Sequence, residues 1–239
     1  MKTQNQLERF KFRNIKNKIV LVVCSYLAFN LLGCQTERWV ENHNIYQAVR
    51  VSHAKNVLQT RYNELNLSNF EFDYNFEDYL KAYLEKVSPQ IEPLRLVPDL
   101  MKLSHSKNFD PVFLIAIMKT ESRFNTQAVG AHGEIGLMQI KPSTAEWVCK
   151  KFGLVWKGRE ALKDPAYNLQ IGAYYFTYLR KSLKQQSKKY INAYNTGINN
   201  LQRMPADSQK KHPYYHQVMR NYAEIYNELA KIKENQDKI

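Results

Sequence analysis

Glu121 is the residue of this chain whose position most needs a chemical explanation. It closes the stretch IAIMKTESRF, residues 115–124, which otherwise has the composition of a buried apolar helix. Burial of a carboxyl group is costly unless it is hydrogen-bonded, and it favours the protonated form. A glutamate that keeps its proton near neutral pH can donate it to a leaving oxygen as a general acid. The alternative is a Glu121 that is solvated or paired with Arg123, and this helix alone leaves both interpretations open.

The sequence offers few residues for a metal-binding site or for nucleophilic catalysis. His212 and His216 are four residues apart, but Pro213 breaks the helix on which they would share a face, and the sequence suggests no third ligand. The sequence contains neither a glycine-rich phosphate loop nor a serine with an evident partner base. We therefore predict a site with no metal and no cofactor.

Helices must position Glu121, because no alternating strand pattern longer than a few residues occurs. Apolar residues at helical spacing between Trp39 and Leu67 predict one amphipathic helix, and a second is predicted around 77–87. Three prolines at 89, 93 and 98 then predict a connector, for which a helical flap packed on the main domain is the alternative.

The main domain is predicted to begin near residue 96 with a series of marked helix starts. Asp110-Pro111 and Asp164-Pro165 each combine an N-cap residue with proline at the first helical position, and Pro142 opens another helix. Residues 187–200 and 213–232 supply the last helical patterns. The predicted fold class is all-α, or mainly α.

Five short motifs in this region follow one another in a recognisable order. They are ESRFN, GLMQIKPSTA, DPAYNLQIGAYY, AYNTG and YYHQV. Each motif is weak evidence alone, but five in order over roughly 120 residues are strong, because chance matches multiply. The order closely resembles that of the soluble lytic transglycosylase family of lysozyme-like enzymes. This resemblance covers residues 96–226 and leaves residues 35–95 outside.

The resemblance implies that Glu121 is the only catalytic acid and base. It would protonate the glycosidic oxygen of the β-1,4 bond between N-acetylmuramic acid and N-acetylglucosamine in peptidoglycan, the oxocarbenium-like centre being stabilised by the sugar's own N-acetyl group. Glu121 would then take the proton of the 6-hydroxyl, which closes a 1,6-anhydro ring without consuming water. Ordinary glycosidases need two carboxylates. Glu134 could be a second one here, although a solvated loop residue is the favoured interpretation.

The resemblance also implies a set of substrate-binding residues. They are Gly136, Leu137, Met138, Gln139, Tyr194, Asn195 and Tyr214. We expect Gly136 to let the backbone approach the sugar, Met138 to contact a pyranose face, and Gln139 to bind an N-acetyl group. The two tyrosines match family residues beside the catalytic acid. Ordinary packing is the alternative for each residue, and for Leu137 it is the preferred one.

Two positions depart from the family pattern. Gly130 stands where the family usually has a serine, so a hydroxyl contact to the muramoyl group or to Glu121 is in doubt. Lys210 stands where the last motif usually carries a glutamate. We expect subsite contacts to differ accordingly.

Two rival functions stay open. A hydrolysing muramidase of the goose-type lysozyme sort would share the fold and the glutamate, but its products would be heavier by one water. A catalytically silent peptidoglycan-binding lipoprotein would bind sacculi without releasing fragments.

The N-terminus is predicted to be a lipoprotein signal peptide. Six basic residues precede an apolar stretch over 19–33, which is short for a spanning helix and ends in Leu-Leu-Gly-Cys. This ending resembles a lipobox, so Cys34 would be lipidated and become the mature N-terminus. An uncleaved anchor is the weaker alternative. Gln35, which is not an aspartate, favours the periplasmic face of the outer membrane of a bacterium.

Charge and cysteine content agree with export. The net charge of +13 falls to +8 when the signal is removed. A basic surface suits the acidic cell-wall polymer or lipid headgroups, and no nucleic-acid module is present, so we predict glycan strands and a membrane as partners and no nucleic acid. Cys149 has no partner for a disulfide and is expected to be buried. We expect a monomer.

These features predict three segments. Residues 1–33 form the signal peptide, 34–95 a helical extension or linker, and 96–232 a lysozyme-like transglycosylase domain.

Overall fold

A computed structural model describes residues 45–59, 61–65, 67–71 and 73–238, and of Tyr62 and Lys210 only the backbone. The predicted signal peptide, Cys34 and Gln35 lie outside these residues, as does the side chain of Lys210. The chain divides into two compact units, Met1–Tyr46 and Gln47–Ile239. Of the first unit only residues 45 and 46 are described, and both are helical. The fold described below is that of the second unit.

The second unit is built from helices. They are α1 (47–58), α2 (Arg61–Glu64), α3 (Phe76–Val87), α4 (Pro93–Lys107), α5 (Pro111–Ser122), α6 (Pro142–Phe152), α7 (Pro165–Ser182), α8 (Ser187–Thr196), α9 (Ile198–Arg203), α10 (Ala206–Lys211) and α11 (Pro213–Gln236). Short 3-10 turns lie at Leu67–Phe70, Pro89–Ile91 and Glu160–Lys163. The prediction of a mainly α fold is confirmed. Among the described residues, no helix has the length and apolar character needed to cross a membrane.

The predicted helix starts are confirmed. Asp110 caps α5 by accepting a hydrogen bond from the Val112 N–H, and Asp164 caps α7 by accepting one from the Tyr167 N–H. Proline occupies the first helical position in both helices and in α6, where a missing N–H costs nothing.

The prediction of one continuous helix from Trp39 to Leu67 is wrong for the described part of that range. Gln59 has a positive φ of 53°, which ends α1 after residue 58, and the chain continues as the short helix α2 and a 3-10 turn. The break lets both Leu58 and Leu67 bury their side chains in the same core, which one straight helix would not allow. Tertiary packing here overrides a helical pattern that continues in the sequence.

The proline-rich connector is helical. Pro93 occupies the first position of α4, and Pro98 lies inside that helix. Proline in a helix interior removes one backbone hydrogen bond at a cost of about 3 kcal/mol. The buried Leu96, Val97 and Leu100 of the same helix offset this cost by packing into the core. The predicted boundary between 95 and 96 therefore falls inside a helix, and the alternative of a packed helical flap describes this segment.

The core is centred on α5, the helix that carries Glu121. Every residue of α5 from Pro111 to Met118 is buried, as its apolar composition predicted. The helix packs against α11, and Phe113 makes edge contacts with Phe176 of α7 and Tyr222 of α11. The loop between α5 and α6 is called the glycine-rich loop below, because it contains Gly130, Gly133 and Gly136. The isolated antiparallel bridges Val129–Ile135 and Ile135–Ile140 close it.

Candidate active site

A cavity of about 320 Å³ opens beside the C-terminal end of α5. Its wall combines side chains from α5, the glycine-rich loop, α6, α7 and α8. The lining residues are Glu121, His132, Glu134, Gln139, Ile140, Lys141, Thr144, Tyr175, Tyr194, Asn195, Thr196 and Gly197. Most of these groups are polar, and two of them are carboxyl groups.

Glu121 lies in the last turn of α5 and is half-buried. Its Oε1 accepts a hydrogen bond of 2.5 Å from the Tyr214 hydroxyl. Burial raises the pKa of Glu121 to about 7, the Tyr214 hydrogen bond partly opposes this, and the negative charge of Glu134 adds to it. Arg123 is exposed and ends the helix in a left-handed conformation, so the partner of Glu121 is Tyr214 instead. Near neutral pH, Glu121 therefore exists in both protonation states, as an acid that later acts as a base requires.

Ser122 joins α5 to the glycine-rich loop. Its hydroxyl donates a 2.8 Å hydrogen bond to the carbonyl of Leu137. Ser122 had no predicted role of its own, although its place beside Glu121 in the first motif was a signal. The contact fixes the loop relative to the carboxyl group.

Gly136 does not face the cavity. Its φ is 79°, and a Cβ atom there would lie 2.2 Å from the carbonyl oxygen of Leu162 and 2.5 Å from Nδ2 of Asn168. The expected close approach is therefore to the protein itself, and the prediction of a backbone contact with the sugar is corrected. Asn168 is fully buried and holds the loop by two hydrogen bonds. Its Oδ1 accepts from the Met138 N–H at 2.8 Å, and its Nδ2 donates to the Ile135 carbonyl at 2.8 Å.

Leu137 and Met138 are also turned away from the cavity. Both side chains are 0 % exposed. A Cβ atom at Gly172 of α7 would lie only 2.4 Å from Sδ of Met138, so the glycine makes room for this methionine. The expected contact between Met138 and a pyranose face is thus corrected to packing in the core. Leu137 also packs in the core, which was the preferred interpretation for it.

Gln139 and Asn195 do lie on the cavity wall. Nε2 of Gln139 donates to the carbonyls of Ala128 and Gly136 at 3.2 and 2.9 Å, so the donor of this amide is used by its own loop. Its Oε1 atom remains as the group that could accept from a ligand. Asn195 is exposed at the cavity edge.

The two predicted tyrosines differ in what they bind. The Tyr194 hydroxyl donates to the carbonyl of Met138 at 2.8 Å, and its ring stacks on Phe176 with centroids 4.1 Å apart. Tyr194 thus supports the loop and lines the cavity without a hydrogen bond to the acid. The Tyr214 hydroxyl binds Glu121 directly, and the backbone N–H of Tyr214 donates to Nδ1 of His212 at 3.3 Å.

Glu134 is more enclosed than a solvated loop residue would be. Its side chain is 21 % exposed; Oε2 accepts from the His132 N–H at 3.0 Å, and Oε1 lies 3.4 Å from Nζ of Lys141. Burial of this carboxyl favours its protonated form, but the hydrogen bonds from its own N–H and from His132, together with Lys141, outweigh burial and lower its pKa. The cavity therefore holds one carboxyl with a raised pKa and one with a lowered pKa.

Several residues on the cavity wall were not predicted. Thr144, Thr196 and Gly197 directly follow or belong to the motifs GLMQIKPSTA and AYNTG, and that position was the available signal. Tyr175 was likewise not among the predicted substrate-binding residues. The contact of these residues with the cavity depends on how α6, α7 and α8 pack, which the motifs do not specify.

A helical domain with one hydrogen-bonded, protonatable glutamate on the wall of a polar cavity has the arrangement of a general acid-base enzyme. Comparison with known families makes the class specific. Residues 100–217 match the family model described as the transglycosylase SLT domain. This part of the chain belongs to that family, as the order of its motifs predicted.

Two curated relatives match 45 % and 60 % of the chain. A membrane-bound lytic murein transglycosylase C from Glaesserella parasuis is 33 % identical over 118 residues, which are 45 % of this chain and 32 % of the relative. A protein of the same name from Histophilus somni is 32 % identical over 152 residues, which are 60 % of this chain and 40 % of the relative. The chain thus spans well under half the length of these relatives.

Among solved structures, the 70 kDa soluble lytic transglycosylase of Escherichia coli is 21 % identical to this chain. The match has a TM-score of 0.48 and covers 64 % of this chain and 29 % of that protein.

Proposed function

We propose that this chain is a lytic transglycosylase that cleaves the β-1,4 bond between N-acetylmuramic acid and N-acetylglucosamine in peptidoglycan and leaves a 1,6-anhydro-muramoyl end. The observation that carries this proposal is Glu121, half-buried, hydrogen-bonded to Tyr214 and with a pKa raised to about 7, inside a transglycosylase SLT domain. The names of the relatives, all lytic murein transglycosylases, support the same substrate class.

Glu121 would act twice. In the first step its carboxyl proton passes to the glycosidic oxygen, the C1–O bond breaks, and the N-acetyl oxygen of the muramoyl residue supports the electron-poor C1. In the second step the Glu121 carboxylate takes the proton of the 6-hydroxyl, and O6 forms the new bond to C1. The proton returns to Glu121, so the enzyme is regenerated and no water is added.

The hydrogen bond from Tyr214 suits the second step. A hydroxyl donor stabilises the carboxylate form and fixes its orientation between proton donation and proton removal. Gln139, Asn195 and Tyr194 line the same cavity and are proposed to contact the sugars. For Leu137 and Met138, whose side chains are fully buried, we propose support of the loop instead.

Membrane attachment is part of the proposal. The relatives carry membrane-bound in their names, and the sequence around Cys34 resembles a lipobox. We infer a lipid anchor at Cys34 that holds a monomeric enzyme at the periplasmic face of the outer membrane. Metabolic labelling with a clickable fatty acid, which Cys34→Ser should abolish, tests the anchor.

Product mass tests the reaction. We expect the chain from Gln35 onward to release from purified sacculi muropeptides that end in 1,6-anhydro-muramic acid. Products heavier by one water would instead establish a hydrolase, an alternative that the second cavity carboxylate, Glu134, keeps worth testing. Binding of sacculi with no released product would favour a non-catalytic binding protein.

Tyr214→Phe is expected to lower the rate about tenfold and to shift its pH dependence upward. Loss of a hydrogen bond to a charged group costs about 1.5–3 kcal/mol. Because the lost bond favours the ionised form, the pKa of Glu121 should rise above about 7. The rate should therefore fall off at higher pH than in the wild type, which turbidity clearing of sacculi between pH 5 and 9 would show.

Tyr215→Phe is the matched control for this variant. The Tyr215 hydroxyl donates to the carbonyl of Val57 at 3.2 Å, away from Glu121. An equal shift of the pH profile in both variants would contradict a specific role of Tyr214.

A further inference from the structure

The loop carboxylate Glu134 faces the same cavity as Glu121 but comes from a different element. Glu121 lies on α5, whereas Glu134 lies in the glycine-rich loop between Gly133 and Gly136. Two carboxyl groups on one cavity wall influence each other's ionisation, because an ionised neighbour disfavours a second negative charge. The arrangement therefore raises the question of what fixes Glu134 in this place.

Gly130 is the residue that makes room for Glu134. A Cβ atom at position 130 would lie 2.5 Å from Oε2 of Glu134 and 2.8 Å from Oε1 of Gln139. Gly130 does not have one of the positive φ values that favour glycine, so space and not backbone conformation explains the glycine. The backbone N–H of Gly130 also donates to the carbonyl of Glu134 at 2.8 Å. Gly130, which departs from the family pattern, and the Glu134 carboxylate thus pack together as one structural unit.

The surroundings of Glu134 favour its ionised form. One oxygen accepts from the His132 N–H at 3.0 Å, and the other lies 3.4 Å from the Lys141 ammonium and 3.7 Å from Nδ1 of His132. The side chains of Lys141 and His132 are 48 % and 80 % exposed, so solvent screens their positive charges. They therefore neutralise Glu134 only in part, and its negative charge still acts on groups in the cavity.

The tyrosines that face Glu121 carry no charge that would oppose the effect of the Glu134 carboxylate. Tyr214 of α11 donates to the carboxyl, and Tyr194 of α8 lies on the same wall with its hydroxyl bound to Met138. Both tyrosines are uncharged at neutral pH, since burial raises the pKa of each well above its ordinary value. The charged groups that remain on the wall are Glu134, Lys141 and, when protonated, His132.

We propose that Glu134 is a positioning residue of the active site, seated against Gly130, whose negative charge keeps the proton on Glu121 for the first step. Its carboxylate takes no part in bond making or breaking. The consequence for the rate rests on the proposed function, whereas the effect on Glu121 itself does not.

The experiment compares the wild type with Glu134→Gln, which keeps the shape of the side chain and removes its charge. Carbon-13 NMR of glutamate carboxyl groups, with the Glu121 signal assigned by its loss in Glu121→Gln, measures the titration of Glu121 without substrate. We expect its midpoint to fall by about 0.5 to 1 pH in Glu134→Gln. On sacculi the rate at pH 8 should then fall about three- to tenfold, while the rate at pH 5.5 stays nearly unchanged.

Glu146→Gln is the matched control, because Glu146 is exposed on α6 and is not among the residues lining the cavity. It should leave the midpoint unchanged. If Glu134→Gln does not fold, Lys141→Met provides a second test, since loss of the cation that neutralises Glu134 should raise the midpoint of Glu121.

An unchanged Glu121 midpoint in Glu134→Gln would overturn the inference even if the wild type released anhydro products. A lowered midpoint in a protein that released no products would support the inference and refute the proposed function. Circular dichroism and thermal unfolding of Glu134→Gln separate a positioning role from loss of structure, because exposure of Glu121 to solvent would also lower its midpoint, toward the ordinary 4.5.

Discussion

Glu121→Gln is expected to reduce the release of muropeptides from sacculi by about 10³-fold or more while leaving the fold intact. The amide has nearly the size of the carboxyl group, and its oxygen can still accept the hydrogen bond that the Tyr214 hydroxyl now donates to Oε1. It can neither donate an acidic proton to the glycosidic oxygen nor remove one from the 6-hydroxyl. One substitution therefore disables both proposed steps.

The control for this loss is Glu85→Gln, which makes the same change on an exposed position of α3. It should release products at the wild-type rate. Circular dichroism and thermal unfolding of both variants would show that the fold is retained. A Glu121→Gln protein that cleaved as fast as the wild type would remove Glu121 from the mechanism.

The same substitution should stabilise the protein at high pH. The pKa of Glu121 rises from an ordinary 4.5 to about 7 in the folded state, so between these values the folded chain binds more protons than the unfolded chain. The free energy of unfolding of the wild type therefore falls as pH rises through this window. Glutamine has no such dependence, and urea unfolding at pH 8 should show Glu121→Gln to be more stable by about 1–3 kcal/mol. At pH 4 the difference should largely disappear.

Local signals in the sequence predicted much of the helical framework. The Asp-Pro pairs at 110 and 164 mark helix starts through contacts within three residues, and both caps form as expected. Such signals are reliable because proline at the first helical position and a capping carboxylate act on their own backbone. The buried character of α5 followed equally directly from its apolar composition.

Distant contacts explain where prediction from sequence failed. Nothing in the local pattern indicates that Gln59 should adopt a positive φ, because the break serves the burial of Leu58 and Leu67 together. Pro98 likewise predicts an interruption, yet it lies inside α4, where Leu96 and Leu100 pack into the core. These outcomes are set by packing between elements, which a single sequence does not display.

The candidate site was likewise predicted only in part, since some of its features depend on packing between elements. Four residues named from the motifs, Glu121, Gln139, Tyr194 and Asn195, line one cavity. They could not show which side of the loop meets solvent, so Met138 was expected at the sugar although it packs on Gly172. They also did not distinguish the tyrosine that binds the acid, Tyr214, from the one that binds the loop, Tyr194.

A buried polar network joins the segment before residue 96 to the helices that carry the site. Arg50 of α1 is 1 % exposed and donates to the carbonyl of Phe70 at 2.5 Å and to the Tyr226 hydroxyl at 3.1 Å. The Tyr226 hydroxyl in turn donates to Asp110, the cap of α5, at 2.5 Å. The guanidinium also lies 4.1 Å from the ring centroid of Phe76. Arg50 thus links α1 and α3 to both α5 and α11.

Arg50→Met is accordingly expected to destabilise the protein by about 3–5 kcal/mol, because it leaves the buried Asp110 without its nearby cation and the Phe70 carbonyl without its charged donor. Lys55→Met, on the same helix, is the control: its ion pair with Glu71 at 3.3 Å is half exposed and should cost less than about 1 kcal/mol. Urea unfolding of both variants measures the difference. Because Arg50 acts on α5 and α11 together, a loss as small as that of Lys55→Met would mean that the segment before residue 96 is an appended linker. The expected large loss would mean that the helices holding Glu121 and Tyr214 depend on it to fold.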